Sequence, residues 1–441
     1  MQQHLGAAQD VAAGLRVLPG TASAWAATQG AWRFYHNPRV GLPDLAQPLL
    51  TQAVTTCAQA CKEYALVMHD WSRLGYKRHG GKRGRIALVR ADDLGYELQT
   101  ALLVSDQSGA PLAPVYLGVR DADGVHSSRR GTPGPTRPHL DELSRTMGYT
   151  EGVGLSKPVV HIVDREADAV RQVRRWQRQG RRFLIRAQDI RLVHYDGREV
   201  LLSVVVRQLR EQFRVSREVD YRGQRAVQYV AETAVVLHRP AKVRRPQTQG
   251  RQRQYVAGAP LSLRLVVSQV RTVDGRLLAQ WLLWTNLPSS VDAATVALWY
   301  YWRWRIESFF KLLKSAGQHV EQWQQETAEA IAKRLLVAAQ ACVLVWALAR
   351  ATTPAAEPAR TLLIRLSGRL MKRHRPYTAP ALLAGLWVLL AMVSVLDEYS
   401  VADLRRVAAH ALPVWQPSTV RITNSEASMS SPILSPTRKL V

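Results

Sequence analysis

Apolar and polar positions alternate in four successive textures along the 441 residues. Up to residue 62, Ala, Gln and Leu recur at helical spacing broken by Pro38 and Pro43, which predicts a small helical region. From 63 the runs become short and β-like: EYALVMHD (63–70), YELQTALLVSD (96–106) and PVYLGVRD (114–121). A turn at Ser108-Gly109 joins the last two into a predicted hairpin. The polar segment 121–157 is expected to wrap the outside. Next come a continuous apolar run, KPVVHIVD (157–164), a helical stretch from Glu166 to about Gln179, and RRFLIRA (181–187). Strand, helix, strand at that spacing predicts a parallel pair, so the layer is mixed α/β. Residues 190–285 read as short strands with turns at Asp196-Gly197, Arg222-Gly223 and Asp274-Gly275. Helical spacing returns from about 291 to 350 and again over 359–411, and the Ser-, Thr- and Pro-rich end, 417–441, is expected to be disordered.

Composition excludes a small module or a fibrous chain: 47% apolar and 21% charged residues are ordinary globular usage, and the length predicts two to four domains. The charge is not ordinary. Sixty Lys and Arg against 34 Asp and Glu leave a formal +26, a field that draws polyanions and points to nucleic acid. Cys57, Cys61 and Cys342 are too few for a disulfide framework or a four-ligand zinc site, so a reducing cytoplasm is expected. The apolar stretches 335–349 and 381–396 are shorter than a membrane span and predict buried helices, and the N-terminus shows no secretory pattern.

The segment YYWRWRIESFFKLLK (300–314) carries the densest chemistry. On an uninterrupted helix Tyr300, Arg303, Glu307 and Lys314 share an arc of about 60°, beside an apolar arc of Trp302, Ile306, Phe309 and Leu313. An anonymous helix with this pattern is more often just a solvated charged face. Phosphoryl chemistry on two divalent metal ions needs more hard oxygen ligands than one Glu supplies. Asp70 and Asp164 end the runs ALVMHD and VVHIVD; on parallel neighbours their carboxylates would meet at one sheet edge. Each could instead be a turn or cap residue, and Asp92, Asp93 and Asp141 are rival acids.

These residues resemble a known family. YYWRWRIESFFKLLK matches the Y-x2-R-x3-E-x6-K signature of the insertion-sequence-four family of DDE transposases. VVHIVDREAD (159–168) and ALVMHDWSRLGY (65–76) are similar to the strands carrying the family's two catalytic Asp residues, and AWRFYHNP (31–38) and WLLWT (281–285) to two further segments. The resemblance implies a ribonuclease H-like mixed-sheet core in two parts, 63–189 and 286–350, interrupted by a β-strand insertion over 190–285. It further implies a helical DNA-binding region over 1–62, which here departs from the family pattern in being shortened, and a helical dimerisation region over 351–416. Asp70, Asp164 and Glu307 would hold two Mg²⁺ ions, with Mn²⁺ able to substitute. Tyr300, Arg303, Lys314 and, less specifically, Arg186 would touch DNA, and Trp281 would stack on a flipped base, unless it merely packs its strand into the core.

The implied activity is cut-and-paste transposition: cleavage at transposon ends through a DNA hairpin, then strand transfer into double-stranded target DNA. The partners would be DNA and a second copy of the chain in a synaptic homodimer, in a bacterial, nucleoid-associated setting and without a membrane. Two other readings stay open, a non-catalytic DNA-binding relic and a structure-specific nuclease on the same core. Eight arginines between 171 and 191 fit a DNA-backbone track or a solvated helix face equally. His69 and His161 read as packed strand residues, and Cys57 and Cys61 as small core residues.

Overall fold

Two helices, α1 (Thr21–His36) and α2 (Leu42–Ala60), lead into the sheet, with Pro38 between them and Pro43 in the first turn of α2, where a missing N–H costs nothing. The computed structural model describes residues 21–243, 254–371 and 376–411. Contacts divide the chain into two units, 1–392 and 393–441.

Strand β1 (Ala65–Gly75) opens with five residues buried on both faces, as a central strand requires. After the short β2 (Ile86–Ala87) come β3 (Leu94–Ser105) and β4 (Pro111–Arg120), antiparallel to β1 and to each other in turn. Gly109 in their turn has φ +65, and a Cβ there would lie 2.4 Å from the Trp302 ring, so both conformation and space demand glycine. On the other side of β1, β7 (Val159–Val163) and then β8 (Arg182–Arg186) run parallel to it. Between them α4 (Val170–Arg178) packs Val173 and the fully buried Trp176 under the crossover.

The segment 121–157 does more than wrap the outside. It holds β5 (Val125–Ser127) and β6 (Arg130–Gly134), which extend the sheet beyond β4, and helix α3 (His139–Glu151). The helix escapes the sequence pattern because its buried face is partly polar: Glu142, Ser144, Thr146 and Thr150 lie beside Leu143 and Met147. Glu142 is satisfied there by Arg129 at 2.8 Å.

The strands of 190–285 continue the same sheet. These are β9 (Leu192–Tyr195), β10 (Arg198–Leu201), β11 (Arg214–Tyr221), β12 (Gln224–Leu237), β15 (Leu261–Arg271) and β16 (Leu277–Thr285). β16 pairs antiparallel with β8, and the full order is β10-β9-β12-β15-β16-β8-β7-β1-β3-β4-β5-β6, with β11 beside β12 and β2 beside β3. A separate two-stranded ribbon joins β13 (Ala241–Val243) to β14 (Gln254–Val256). The interval also contains a helix, α5 (Leu202–Gln208). This large mixed sheet with helices is compatible with a ribonuclease H-like core.

The helical stretch expected over 291–350 is three helices: α6 (Ala293–Tyr301), α7 (Trp304–Leu313) and α8 (Ala328–Arg350). Helix α8 is long and apolar enough to cross a membrane, yet 83% of its most apolar window is buried, which makes it a core helix. Its two buried cations are paired, Lys333 with Glu329 at 2.7 Å and Arg334 with Gln325 at 3.0 Å. Then follow α9 (Ala356–Ser367), α10 (Ala379–Glu398) and α11 (Val401–Ala411). Helix α10 is long and apolar enough as well, but only 28% of its apolar stretch is buried, so the buried helix expected over 381–396 is found only in part: Leu382, Leu383 and Trp387 are buried while Val388, Met392 and Leu396 are exposed. The expected disordered end, 417–441, lies outside the described residues.

Candidate active site

The site grows from a fork in the sheet. The parallel ladder between β1 and β7 stops at the pair His69↔Val163, while β1 runs on beside β3 to Gly75. Asp70 is therefore inside a strand, not at its end, but it is the first residue beyond the parallel ladder. Asp164 is the first residue after β7, leading a short 3-10 turn over Arg165–Ala167. Adjacent strands lie about 4.8 Å apart, so the register alone brings the two acids side by side.

The signature segment supplies the third acid and a cation. It is not one helix: around Trp302 and Arg303 the bonds tighten to three-residue spacing, Arg303 N to Tyr300 O at 3.0 Å, Arg305 N to Trp302 O at 2.8 Å and Ile306 N to Arg303 O at 3.1 Å. The arc drawn for an uninterrupted helix is thus reset at Arg303, and Lys314 lies just past the end of α7.

Arg303 is the hub. Its side chain is 7% exposed, and its guanidinium stands 2.8 Å from Asp70 Oδ2, 3.7 Å from Asp164 Oδ2 and 3.6 Å from Glu307 Oε1. Three carboxylates 70, 164 and 307 along the chain thereby meet one cation. Asp164 also accepts from the Tyr300 hydroxyl at 3.0 Å and lies 3.6 Å from Arg186. Burial pushes the Asp70 carboxyl up to about 6, against the pull of Arg303 and the Trp71 N–H. Burial acts upward on Asp164 too, but Arg303, the Arg165 N–H, Tyr300 and Arg186 outweigh it and hold this acid below the usual carboxylate range. Burial, then the Asp164 charge, raises the Tyr300 phenol well above its ordinary value.

Hard carboxylate oxygens suit Mg²⁺ or Mn²⁺, and the three side chains keep 20%, 34% and 43% of their exposure, which leaves oxygens reachable from solvent. The donor set fits divalent ions provided the guanidinium gives way. Among the described residues, the group of three potential ligands whose donor atoms all lie within 4.8 Å of one another is a different one, His194, Glu199 and His238.

Other candidates lie elsewhere. Lys314 Nζ donates to Arg73 O and stands 3.2 Å from Glu321, tying the end of α7 to β1. Trp281 is only 7% exposed, with its ring 6.1 Å from Tyr221 and 6.3 Å from Tyr300. It packs strand β16 against α6 and backs Tyr300, and it offers no open face for a base. Asp92 pairs with Lys77 and Asp141 with Gln172, and no ion pair joins Asp92, Asp93 or Asp141 to Arg303. His69 and His161 are buried behind the acids, bonded to each other at 2.9 Å, with His161 also 3.2 Å from Glu151. The arginines of 171–191 divide between tasks: Arg171, Arg175, Arg178 and Arg182 are exposed, while Arg181 and Arg191 pair with Glu151 and Asp168.

No family model matches the sequence, and no curated protein matches it. Among solved structures the chain is similar to piggyBac transposase in a synaptic complex with hairpin DNA. The identity is 10% and the TM-score 0.37, over 84% of this chain and 61% of that one. The chain thus spans about three fifths of that chain's length, and the similarity does not single out the insertion-sequence-four family.

Sequence reasoning missed a charged network beside the acids. His139 lies 3.2 Å from Glu97 and 3.7 Å from Glu166, and stacks on Trp71 at 4.1 Å between centroids. Glu166 and Glu97 together raise His139 to about 9, so it is a cation at neutral pH. Only Trp71 and Glu166, each within two residues of an acid, carried a sequence hint. A second missed feature is a recess of about 450 Å³ lined by Tyr221, Arg222, Tyr301, Trp304 and Arg305, with Trp304 half exposed.

Proposed function

We propose that this protein is a DDE transposase that cleaves DNA at transposon ends and joins the freed 3′ hydroxyl to target DNA. The observation that carries the reading is the convergence of Asp70, Asp164 and Glu307 on one guanidinium at a solvent-reachable fork of the sheet, in a chain of charge +26. Asp70, Asp164 and Glu307 would hold the divalent ions, which when bound supply a Lewis-acidic clamp on the attacking and leaving oxygens. Arg303, released from the acids, is positioned to take a DNA phosphate, with Arg186 beside it. Tyr300, kept protonated by burial, donates a hydrogen bond at Asp164 and fixes that carboxylate's orientation. Trp304 and Arg305, at the rim of the aromatic recess, offer an accessible stacking surface for an unpaired base next to the acids, a role for which Trp281 is too buried. Val388 and Met392, exposed one turn apart on α10, are the apolar positions through which we place a synaptic homodimer. The insertion-sequence-four family, a hairpin intermediate and a bacterial, nucleoid-associated setting belong to the same proposal.

The test is incubation of the full chain with Mg²⁺, a labelled duplex carrying the DNA that flanks its coding region, and a supercoiled target. Cleavage followed by joined products supports a transposase. Cleavage without joining supports a nuclease on the same core. Binding without cleavage, unchanged by Asp164→Asn, supports the non-catalytic reading.

A further inference from the structure

Far along the sheet from the acids, β9 and β10 form a hairpin whose two-residue turn, Asp196-Gly197, has φ +51 and +72. Both central residues in the left-handed region make a turn whose twist matches the strands, and this sets the register. Tyr195 pairs with Arg198, and His194 therefore stands opposite Glu199, their side chains on one face. On its other side His194 pairs with Val236 of β12. His238, two residues further, shares the face of Val236 and is a diagonal neighbour of His194. Strands β9 and β10 and the residue that follows β12 thus deliver two imidazoles and a carboxylate to one spot. Their donor atoms lie within 4.8 Å of one another, and the two rings are 3.8 Å apart between centroids.

We propose that His194, Glu199 and His238 bind a transition-metal ion, Zn²⁺ first, with the fourth position open to water. Two neutral imidazole nitrogens and a carboxylate oxygen are a ligand set that Zn²⁺ takes at about 2.0–2.2 Å, and hard ions such as Mg²⁺ disfavour it. The surroundings are arranged for it. Arg239 holds the Glu199 Oε1 oxygen at 3.0 Å while Oε2 faces the His238 ring, so the carboxylate is oriented from behind. The ring atom of His238 that faces Glu199 is Nε2, which makes it the nitrogen placed to coordinate, while its Nδ1 is buried without a hydrogen-bond partner. None of this depends on the transposase reading.

The experiment strips the full chain with chelator and titrates it with Zn²⁺ against a chromophoric competitor, in parallel with Co²⁺ read by its visible absorption. The expected result is one tight ion per chain, four-coordinate by the Co²⁺ bands, and a melting temperature that rises with Zn²⁺. His194→Ala and the milder Glu199→Gln should each weaken that ion about tenfold or more while melting like the parent protein in chelator. Asp164→Asn and Cys57→Ser should leave it in place. An ion that survives both His194→Ala and Glu199→Gln, or one lost with Asp164→Asn or Cys57→Ser, overturns the assignment. So does a wild-type protein that binds Zn²⁺ no more tightly than those two variants.

Discussion

Under the proposed function, Arg303 and a divalent ion compete for the same three carboxylates, and that competition can be weighed. Replacing Arg303 with Gln removes the cation but keeps most of the side-chain volume. Breaking a fully buried ion pair from one side costs about 3–5 kcal/mol. Here the carboxylates are 20–43% exposed, so solvent screening reduces the expected loss to about 2 kcal/mol. In chelator, Arg303→Gln should therefore melt lower than the parent protein, by roughly 2 °C for each kcal/mol in a chain of this size. Adding Mg²⁺ should reverse the order of response. An ion at about 100 times its dissociation constant stabilises by about 2.7 kcal/mol, and in the variant it meets carboxylates already vacated, while in the parent it must first displace a guanidinium. Differential scanning fluorimetry over a Mg²⁺ series measures both arms. Equal melting temperatures in chelator, or the same Mg²⁺ increment in both proteins, would refute the idea that ion and guanidinium share one place.

Three further outcomes are expected. His139 has its folded pKa raised to about 9 from an ordinary 6.5, so its contribution to stability is full below about 6.5 and fades as pH rises through 9. The half-buried site limits it to about 1–2 kcal/mol, and a denaturation series in which His139→Gln lowers stability equally at pH 6 and pH 10 contradicts it. Trp281→Ala should destabilise by about 3–5 kcal/mol through the cavity left beside Tyr300, read by urea unfolding; a loss under 1 kcal/mol would mean the ring is not packed as described. Lys314→Ala should leave the salt dependence of DNA binding nearly unchanged, because its ammonium is engaged by Arg73 O and Glu321; a slope lowered by about one unit would show a phosphate contact instead.

The elements that sequence patterns reveal are those whose burial is apolar. VVHIVD and RRFLIRA are continuous runs and form β7 and β8, and the hairpin around Gly109 follows from its turn residues. Helix α3 stays hidden because a buried Glu142, paired with Arg129, replaces the expected apolar position. The second half of β1, Trp71–Gly75, has no alternation to betray it; pairing with β3 holds it extended, a tertiary effect that outweighs local preference. Spacing could place Arg303 and Glu307 on one face, and it could not tell that the guanidinium turns inward to three acids instead of outward to solvent. In the hairpin, the Asp196-Gly197 turn makes His194 and Glu199 partners by counting alone, and His238 arrives only through the sheet.

The fork after His69 and Val163 makes the spacing of two acids a property of the backbone. Asp70 keeps its place because β1 goes on bonding to β3, and Asp164 keeps its place because it ends a strand locked in register with β1. The segments 106–110 and 121–157 enter and leave this frame at its margins. Outside Gly109 and the packed residues of β5, β6 and α3, they can change sequence without altering the register that sets the two acids side by side. The backbone spacing of the acids stays constant because the rung His69↔Val163 measures it, while Tyr300 and Arg303 orient the carboxylates themselves.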